Sequence, residues 1–163
     1  MYIAWNNLAN RLIASVIEEC SSCEIVNLEL PHKQIGVAVI WNQSGQILID
    51  RRKSSGTMGG LWEFPGGKIE AGETVAECIA REIREELAIE ISVGAHLISI
   101  EHDYPTFQLT AIVHHCQHLN GIPQPIESEE IRWVNATDLS QYQFPAANDA
   151  IIGAIQLAAR VSG

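Results

Sequence analysis

The amino-acid sequence predicts an α/β fold, in which a mixed β-sheet is packed between helices as a sandwich. Five segments of strand length lie between residues 35 and 135, and three segments with apolar residues at helical spacing lie before, among and after them. The chain has 163 residues, of which 47% are hydrophobic and 18% charged. It is therefore long and apolar enough for one globular domain with a buried core.

The first thirty residues predict an extension to this domain. Residues 5–20 carry large apolar side chains at helical spacing, which predicts an amphipathic helix. We expect its apolar face to pack on the rest of the chain, although an outside partner would also explain it. Glu24–Leu30 is a strand or an extended linker, and Pro31 ends it. We therefore divide the chain into an extension, 1–33, and a main domain, 34–163.

The main domain is rich in strands. The predicted strands are Ile35–Trp41, Gln46–Asp50, Leu97–His102, Gln108–His114 and Ile131–Asn135. A turn at 42–45 joins the first two as a hairpin. A glycine-rich loop covers 56–67, and an apolar helix at 146–161 closes the chain.

A second helix is predicted over 74–87. Thr74 and Glu77 have the spacing of a capping box, which places the start of the helix near Thr74. Arg84 falls on the solvent side when the residues are spaced by about 100°. The apolar arc, which should face the sheet, contains Val75, Ala76, Ile79, Ala80, Ile83 and Leu87.

Three carboxylates of this helix lie beside or near the apolar arc. Glu86 falls just inside its edge, between Val75 and Ile79, Glu82 falls just beside Val75, and Glu85 about 80° from Val75. Because an unpaired carboxylate is costly to bury, we favour a divalent-cation site over a solvated charged face. Hard oxygen ligands suit Mg²⁺. The glycine pair just before the helix, Gly66-Gly67, lets backbone approach an ion closely, so that a carbonyl oxygen can complete the site.

The cysteines leave a zinc site open but do not establish one. Cys20 and Cys23 form a single C-x-x-C pair, whereas structural zinc usually needs a second pair of ligands. On a strand, His114, Cys116 and His118 would share one face. Separate structural thiols and ordinary strand residues explain these positions equally well.

Charge and hydropathy exclude several classes of function. The formal net charge of −10 argues against non-specific binding to duplex nucleic acid, which needs a basic surface. It does not exclude a nucleotide substrate, since bound Mg²⁺ changes the sign of an acidic site. There is no apolar run of about 18 residues for a membrane span and no pattern of a secretory signal, so we expect a cytoplasmic protein. The oligomeric state is left open.

The segment from Gly67 to Ile89 resembles the signature of the Nudix hydrolase family. The family pattern is G-x5-E-x7-R-E-U-x-E-E-x-G-U, where U is apolar, and every defined position matches except Ala88, where the family has glycine. The resemblance implies a Nudix-type α/β/α sandwich and a metal-dependent hydrolase. The family glycine ends the helix in a left-handed conformation, so alanine there should cost about 1 kcal/mol of stability.

The flanking segments resemble the MutT-like branch of the family, which removes 8-oxo-dGTP. The matching segments are 62–70 and 144–148, the second reading F-P-A-A-N. The resemblance places Asn148 where the branch recognises the oxidised guanine edge, and an amide can both donate and accept hydrogen bonds there. The alternative role for Asn148 is an N-cap of the last helix. Arg52 and Phe64 fall where this branch has substrate-pocket residues.

The resemblance also implies a mechanism that releases a nucleoside monophosphate and pyrophosphate from a nucleoside triphosphate. Mg²⁺, or Mn²⁺ in its place, would be held by acidic side chains and one carbonyl oxygen. These implied ligands are Gly66, Glu82, Glu85, Glu86 and Glu127, with Glu129 and Glu130 as alternatives to the last. Glu82 is the expected general base for the attacking water, while Glu73 and Arg81 orient the helix and loop.

Two other functions stay open at this point. Within the same family, the substrate could be CTP or a methylated pyrimidine nucleotide, although Asn148 favours a purine. From a different class, the chain could be a catalytically silent nucleotide- or lesion-binding module. The complete set Glu82, Glu85 and Glu86 argues against this second alternative, because binding alone does not need three carboxylates.

Overall fold

The structure of the chain is a computed structural model that describes residues 30–55 and 58–161. The predicted N-terminal helix, most of the segment 24–30 and the Cys20–Cys23 pair lie outside these residues. The strands are β1 His32–Trp41, β2 Ile47–Arg51, β3 Trp62–Glu63, β4 Gly66–Lys68, β5 Glu90–Tyr104, β6 Phe107–Asn120 and β7 Glu130–Val134. The α-helices are α1 Val75–Leu87 and α2 Asp149–Val161, and two 3₁₀ helices span Ala136–Gln141 and Ala146–Asn148.

The described strands form one mixed sheet. Its main order is β3-β2-β1-β6-β5, with β4 paired to β1 and β7 paired to β2. The long central pair, β1 and β6, is parallel, and the other pairs are antiparallel. The predicted mixed sheet is thus confirmed. Helix α1, which carries Glu82, Glu85 and Glu86, connects β4 to β5.

Alternation along the central strands gives the sheet two apolar faces. Val37 and Val39 of β1 point to one face, and Ala38 and Ile40 point to the other. The first face packs against Ile151 and Ile155 of α2, and the second packs against Ile79, Ile83 and Leu87 of α1. The α/β/α sandwich is therefore confirmed. No helix in the described ranges is long and apolar enough to cross a membrane.

Some predicted boundaries were wrong. Strands β5 and β6 are 15 and 14 residues long, against six and seven predicted, because polar residues at their ends are held by pairing with each other. The glycine-rich loop contains two short strands, β3 and β4, which pair with β2 and β1. The last helix begins at Asp149, because Ala146–Asn148 forms a 3₁₀ turn first.

The start of α1 agrees with its prediction, but its buried face is rotated. Thr74 caps the helix through a complete capping box with Glu77. Ala76, predicted to face the sheet, is exposed, whereas Cys78 is buried. The thiol of Cys78 lies close above Gly36 of β1, where the missing side chain leaves room for it.

Ala88 ends α1 in the left-handed conformation that the sequence predicted. Its φ and ψ are 54° and 35°, and its N–H donates to the Arg84 carbonyl at 3.1 Å. A β-carbon is unfavourable in this conformation, so the cap is strained.

We predict that Ala88→Gly stabilises the protein by about 1 kcal/mol, because glycine adopts a positive φ without steric cost. The measurement is the free energy of unfolding from denaturant titration. Ala76→Gly is the control, since Ala76 is exposed in the right-handed part of the same helix, and this change should destabilise by about 0.5–1 kcal/mol. A loss of stability in Ala88→Gly would contradict the strain at this cap.

Candidate active site

A cavity of about 530 Å³ opens at one end of the sheet and collects most of the residues singled out in the sequence. It is bounded by the end of β2, the β3–β4 segment, the C-terminal part of α1, the segment before β7 and the turn that leads into α2. The predicted site residues that line it are Arg52, Phe64, Gly66, Glu86, Glu127 and Asn148. Several predicted cation ligands and the residues predicted to recognise the base therefore line the same cavity.

Glu86 is the most perturbed acid that was predicted. It is half-buried at the edge of the face of α1 that packs on the sheet, as its helical position indicated. Burial, followed by the nearby charges of Asp50, Glu82, Glu127 and Glu63 in that order, raises the pKa of Glu86 to about 8. The Glu86 carboxylate is thus close to other acids, and a bound cation would offset the repulsion between their negative charges.

Asp50, at the end of β2, belongs to the same cavity and was missed by the sequence analysis. Its side chain is only 7% exposed, and its Oδ1 has no hydrogen-bond partner in the described structure. Burial, followed by the charge of Glu63, raises the pKa of Asp50 to about 7, and Arg52 opposes this. The signal in the sequence was an acidic residue directly after the apolar run 47–49 of a predicted strand. A carboxylate that is buried with such a run needs a cation or a hydrogen-bond donor as partner.

Arg81 connects α1 to the loop before it. Its guanidinium donates to both carboxylate oxygens of Glu73, at 2.8 and 3.0 Å, and to the Lys68 carbonyl at 3.1 Å. A further bond of 2.7 Å holds Glu82. Arg81 holds the pKa of Glu73 well below its usual range. The two residues predicted to orient the helix and loop are therefore bonded to each other, and one of them also fixes Glu82.

Glu82 and Glu85 lie at different depths. Glu82 is 16% exposed and rests against Gly67, where any β-carbon would collide with its carboxylate. Glu85 is 58% exposed, lies 3.5 Å from Arg81 and does not line the cavity. Gly66 has φ 152°, and a β-carbon there would collide with the carbonyl of Gly36. The glycine pair thus lets β4 lie close to the backbone of β1 at Gly66 and close to the Glu82 carboxylate of α1 at Gly67.

The three acids after residue 126 are separated by the structure. Glu127 lines the cavity and acts on the pKa of Glu86. Glu129 and Glu130 instead lie 3.8 and 3.3 Å from the guanidinium of Arg51. Of the three candidates left open by the sequence, Glu127 is the one that lies near Glu86, and together with Asp50 these residues form the acidic cluster of the cavity.

Another part of the cavity lining is aromatic and polar. Phe64 is buried and stacks on Phe144, with ring centroids 5.3 Å apart and planes inclined by 23°. No hydrogen bond ties the side-chain amide of Asn148 to another residue in the described part of the chain, so it does not cap α2 there. Arg52 donates to Glu63 at 2.6 Å. This part of the lining combines a flat apolar surface with an amide that is available to a ligand.

The donor set fits a hard divalent cation. All the acidic groups at the cavity offer oxygen atoms, which suit Mg²⁺ or Mn²⁺ better than softer metals. Among the residues described, no three acidic, histidine or cysteine side chains are already gathered as a metal site. Like charges repel, so carboxylates are not expected to converge without a cation. His114, Cys116 and His118 each bond to a separate backbone carbonyl, which gives no support to zinc there.

Comparison with known proteins agrees with this geometry. The family model for the NUDIX domain matches residues 36–154. The 8-oxo-dGTP diphosphatase of Escherichia coli is 32% identical over 123 residues, which are 76% of this chain and 95% of that protein. The CTP pyrophosphohydrolase of the same bacterium is 31% identical over 118 residues, covering 72% and 87% of the two chains.

A solved structure gives the same result for the fold. The crystal structure of the MutT protein from Methanosarcina mazei is 27% identical, with a TM-score of 0.72, and the match covers 81% of this chain and 98% of that one. The match to the family model spans most of the sheet, α1 and the start of α2. The chain is therefore a member of the Nudix hydrolase family and is similar to its MutT-like members.

Proposed function

We propose that this chain is a Mg²⁺-dependent nucleoside triphosphate pyrophosphohydrolase, with Mn²⁺ as a substitute, and that its substrate is the oxidised purine nucleotide 8-oxo-dGTP. The products are the nucleoside monophosphate and pyrophosphate. The proposal assigns this activity to the domain 34–163 and regards 1–33 as an extension. One observation carries it: a single cavity is lined both by buried carboxylates that repel each other and by an aromatic ring and an available amide.

The acidic side of the cavity is suited to a triphosphate bound with its cations. Glu86, Glu127 and Gly66 line it, and Glu85 is exposed on α1 one residue before Glu86. We assign these four as the cation ligands. When bound, the cations offset the negative charge that develops on the phosphate oxygens. The acids alone would repel a triphosphate, so cations are needed before substrate can bind.

Glu82 is our assignment for the general base. Arg81 fixes one of its oxygens by a bond of 2.7 Å, and Gly67, which lines the cavity, lies directly against its carboxylate. A carboxylate in this position can accept the proton of a water that attacks phosphorus, and it can also contact a cation. Arg81 and Glu73 act as positioning residues, since their bonds are to protein groups.

Phe64 and Asn148 are our assignments for base recognition. The ring of Phe64, supported by Phe144, offers a flat surface on which a base can stack. The amide of Asn148 can pair with a donor and an acceptor on a purine edge. Arg52 lies beside them but is engaged by Glu63, so we assign it a supporting role in the substrate pocket.

A pyrimidine substrate is the second candidate. It is favoured by the 31% identity to a protein named CTP pyrophosphohydrolase, which is nearly as high as the identity to the 8-oxo-dGTP diphosphatase. The amide of Asn148 favours a purine, because one amide can hydrogen-bond two adjacent edge positions of an oxidised guanine. A silent binding module is disfavoured, since a site for binding alone has no need of repelling buried acids.

We predict that Glu82→Gln lowers kcat for pyrophosphate release by a factor of about 10²–10⁴, the usual contribution of a general base. The measurement is steady-state release of pyrophosphate in Mg²⁺. Thermal stability in metal-free buffer should be unchanged or higher, because a carboxylate is removed from an acidic cluster. Glu90→Gln is the matched control on an exposed residue after α1. Turnover at the wild-type rate in Glu82→Gln would remove this residue from the mechanism.

We also predict that Asn148→Ala lowers kcat/KM for 8-oxo-dGTP by about 1–3 kcal/mol of transition-state stabilisation and affects dGTP much less. The reason is that the change removes bonds to the altered base edge and leaves the acidic side untouched. Both substrates are measured with both proteins. An unchanged ratio of the two kcat/KM values would exclude Asn148 from base recognition, and a wild type that prefers CTP to both would replace the purine assignment.

A further inference from the structure

The carboxyl group of Asp50 is the least explained polar group in the described structure. It is 7% exposed, it lines the cavity, and its Oδ1 lacks any hydrogen-bond partner among the described residues. In the sheet, Asp50 lies opposite Glu63 of β3 and Ile131 of β7. A structural aspartate at such a depth normally has its oxygens bonded to donors, so this one lacks the usual structural role.

The protein supplies little positive charge to Asp50. Arg52 is the cation that acts on it, but the Arg52 guanidinium donates to Glu63 at 2.6 Å. Lys53 also lines the cavity, and its Nζ lies 3.5 Å from the Ile126 carbonyl on the other side of the opening. Asp50 and Glu86 therefore line one cavity and repel each other, while Arg52 and Lys53, the arginine and lysine among the described residues that line it, are engaged by other groups.

A second unsatisfied oxygen belongs to another residue that lines the cavity. The buried hydroxyl of Ser128 has no hydrogen-bond partner in the described ranges, and Ser128 lines the cavity next to Glu127. Two buried oxygens without partners, together with Glu86 and Glu127, form a set of hard donors that come from a strand, a helix and a loop. Such a set is typical of divalent-cation binding rather than of an ordinary core.

We propose that Asp50, at the end of β2, is an additional oxygen ligand of a divalent cation in this cavity. The proposal rests on the function proposed above, because it adds a ligand to the same acidic site. It goes beyond the Nudix signature, which lies between Gly67 and Ile89 and does not include β2.

The experiment measures Mn²⁺ binding to the full chain without nucleotide, by electron paramagnetic resonance of the free ion at pH 8. Wild type is compared with Asp50→Asn, which keeps the shape of the side chain and removes its charge. Asp103→Asn is the matched control, since Asp103 is exposed on β5 and does not line the cavity. We expect Asp50→Asn to raise the dissociation constant for Mn²⁺ at least tenfold and Asp103→Asn to change it less than twofold.

Asp50→Thr, an uncharged residue suited to a strand, gives an independent variant if Asp50→Asn folds poorly. Melting in chelator shows whether each variant is folded, and both should be at least as stable as wild type there. An unchanged dissociation constant in a folded variant would overturn the proposal, as would a wild type that binds no Mn²⁺. Normal Mn²⁺ binding with lost hydrolysis would also overturn it and would place Asp50 on the substrate.

The outcome is separable from the proposed function. If Mn²⁺ binding depends on Asp50 but wild type hydrolyses no nucleoside triphosphate, the ligand assignment stands and the proposed hydrolase activity fails. If wild type hydrolyses nucleotides and Asp50→Asn binds Mn²⁺ normally, the activity stands and the ligand assignment fails.

Discussion

The packing of α1 on the sheet determines where the acidic groups of the cavity lie. Ile79, Ile83 and Leu87 are buried against the sheet, and the helical repeat then holds Glu86 at the edge of the same contact. Burial of three such side chains contributes roughly 1.5–3 kcal/mol each, so the helix cannot turn to release one carboxylate into water. Apolar packing thus holds Glu86 close to other acids, although the repulsion between their charges would favour moving it into water.

The other contacts of the site fix the positions of the carboxylates and of the backbone beside them. Gly66 and Gly67 let β4 approach β1 and Glu82 closely, and Arg81 bonds to Glu73, to Glu82 and to the Lys68 carbonyl of β4. The guanidinium is already engaged by Glu73, Glu82 and Glu85, which leaves it poorly placed to neutralise Glu86. Sites in which local stability is given up in this way are commonly functional, and here the missing counter-charge matches the cations of a nucleotide-hydrolysing enzyme.

The sequence predicted what depends on local spacing and missed what depends on pairing. The cap at Thr74, the left-handed Ala88 and the edge position of Glu86 all follow from intervals within one helix. Asp50 was missed because its place among the acids of the cavity depends on the pairing of β2 with β3, which brings Glu63 opposite it. The long β5 and β6 were underestimated since their polar ends are stabilised by each other rather than by apolar patterning. The exposure of Glu85 likewise depends on the final rotation of the helix.

The most direct test of this account is the pH dependence of thermal unfolding in chelator, compared between wild type and Glu86→Gln. The folded-state pKa values of Glu86 and Asp50 are raised to about 8 and about 7 from ordinary values of 4.5 and 3.8. The folded state then binds protons that the unfolded state has lost, so stability present at low pH is lost as pH rises to about 8.

The difference between the two proteins cancels other titrating groups, such as His115, whose pKa is lowered by burial. We expect the melting temperature of wild type to fall relative to Glu86→Gln between pH 5 and 8, and Mg²⁺ to restore it at pH 8 in wild type only. Parallel profiles for the two proteins, with no effect of Mg²⁺ on either, would contradict the claim that the fold buries acids for a cation.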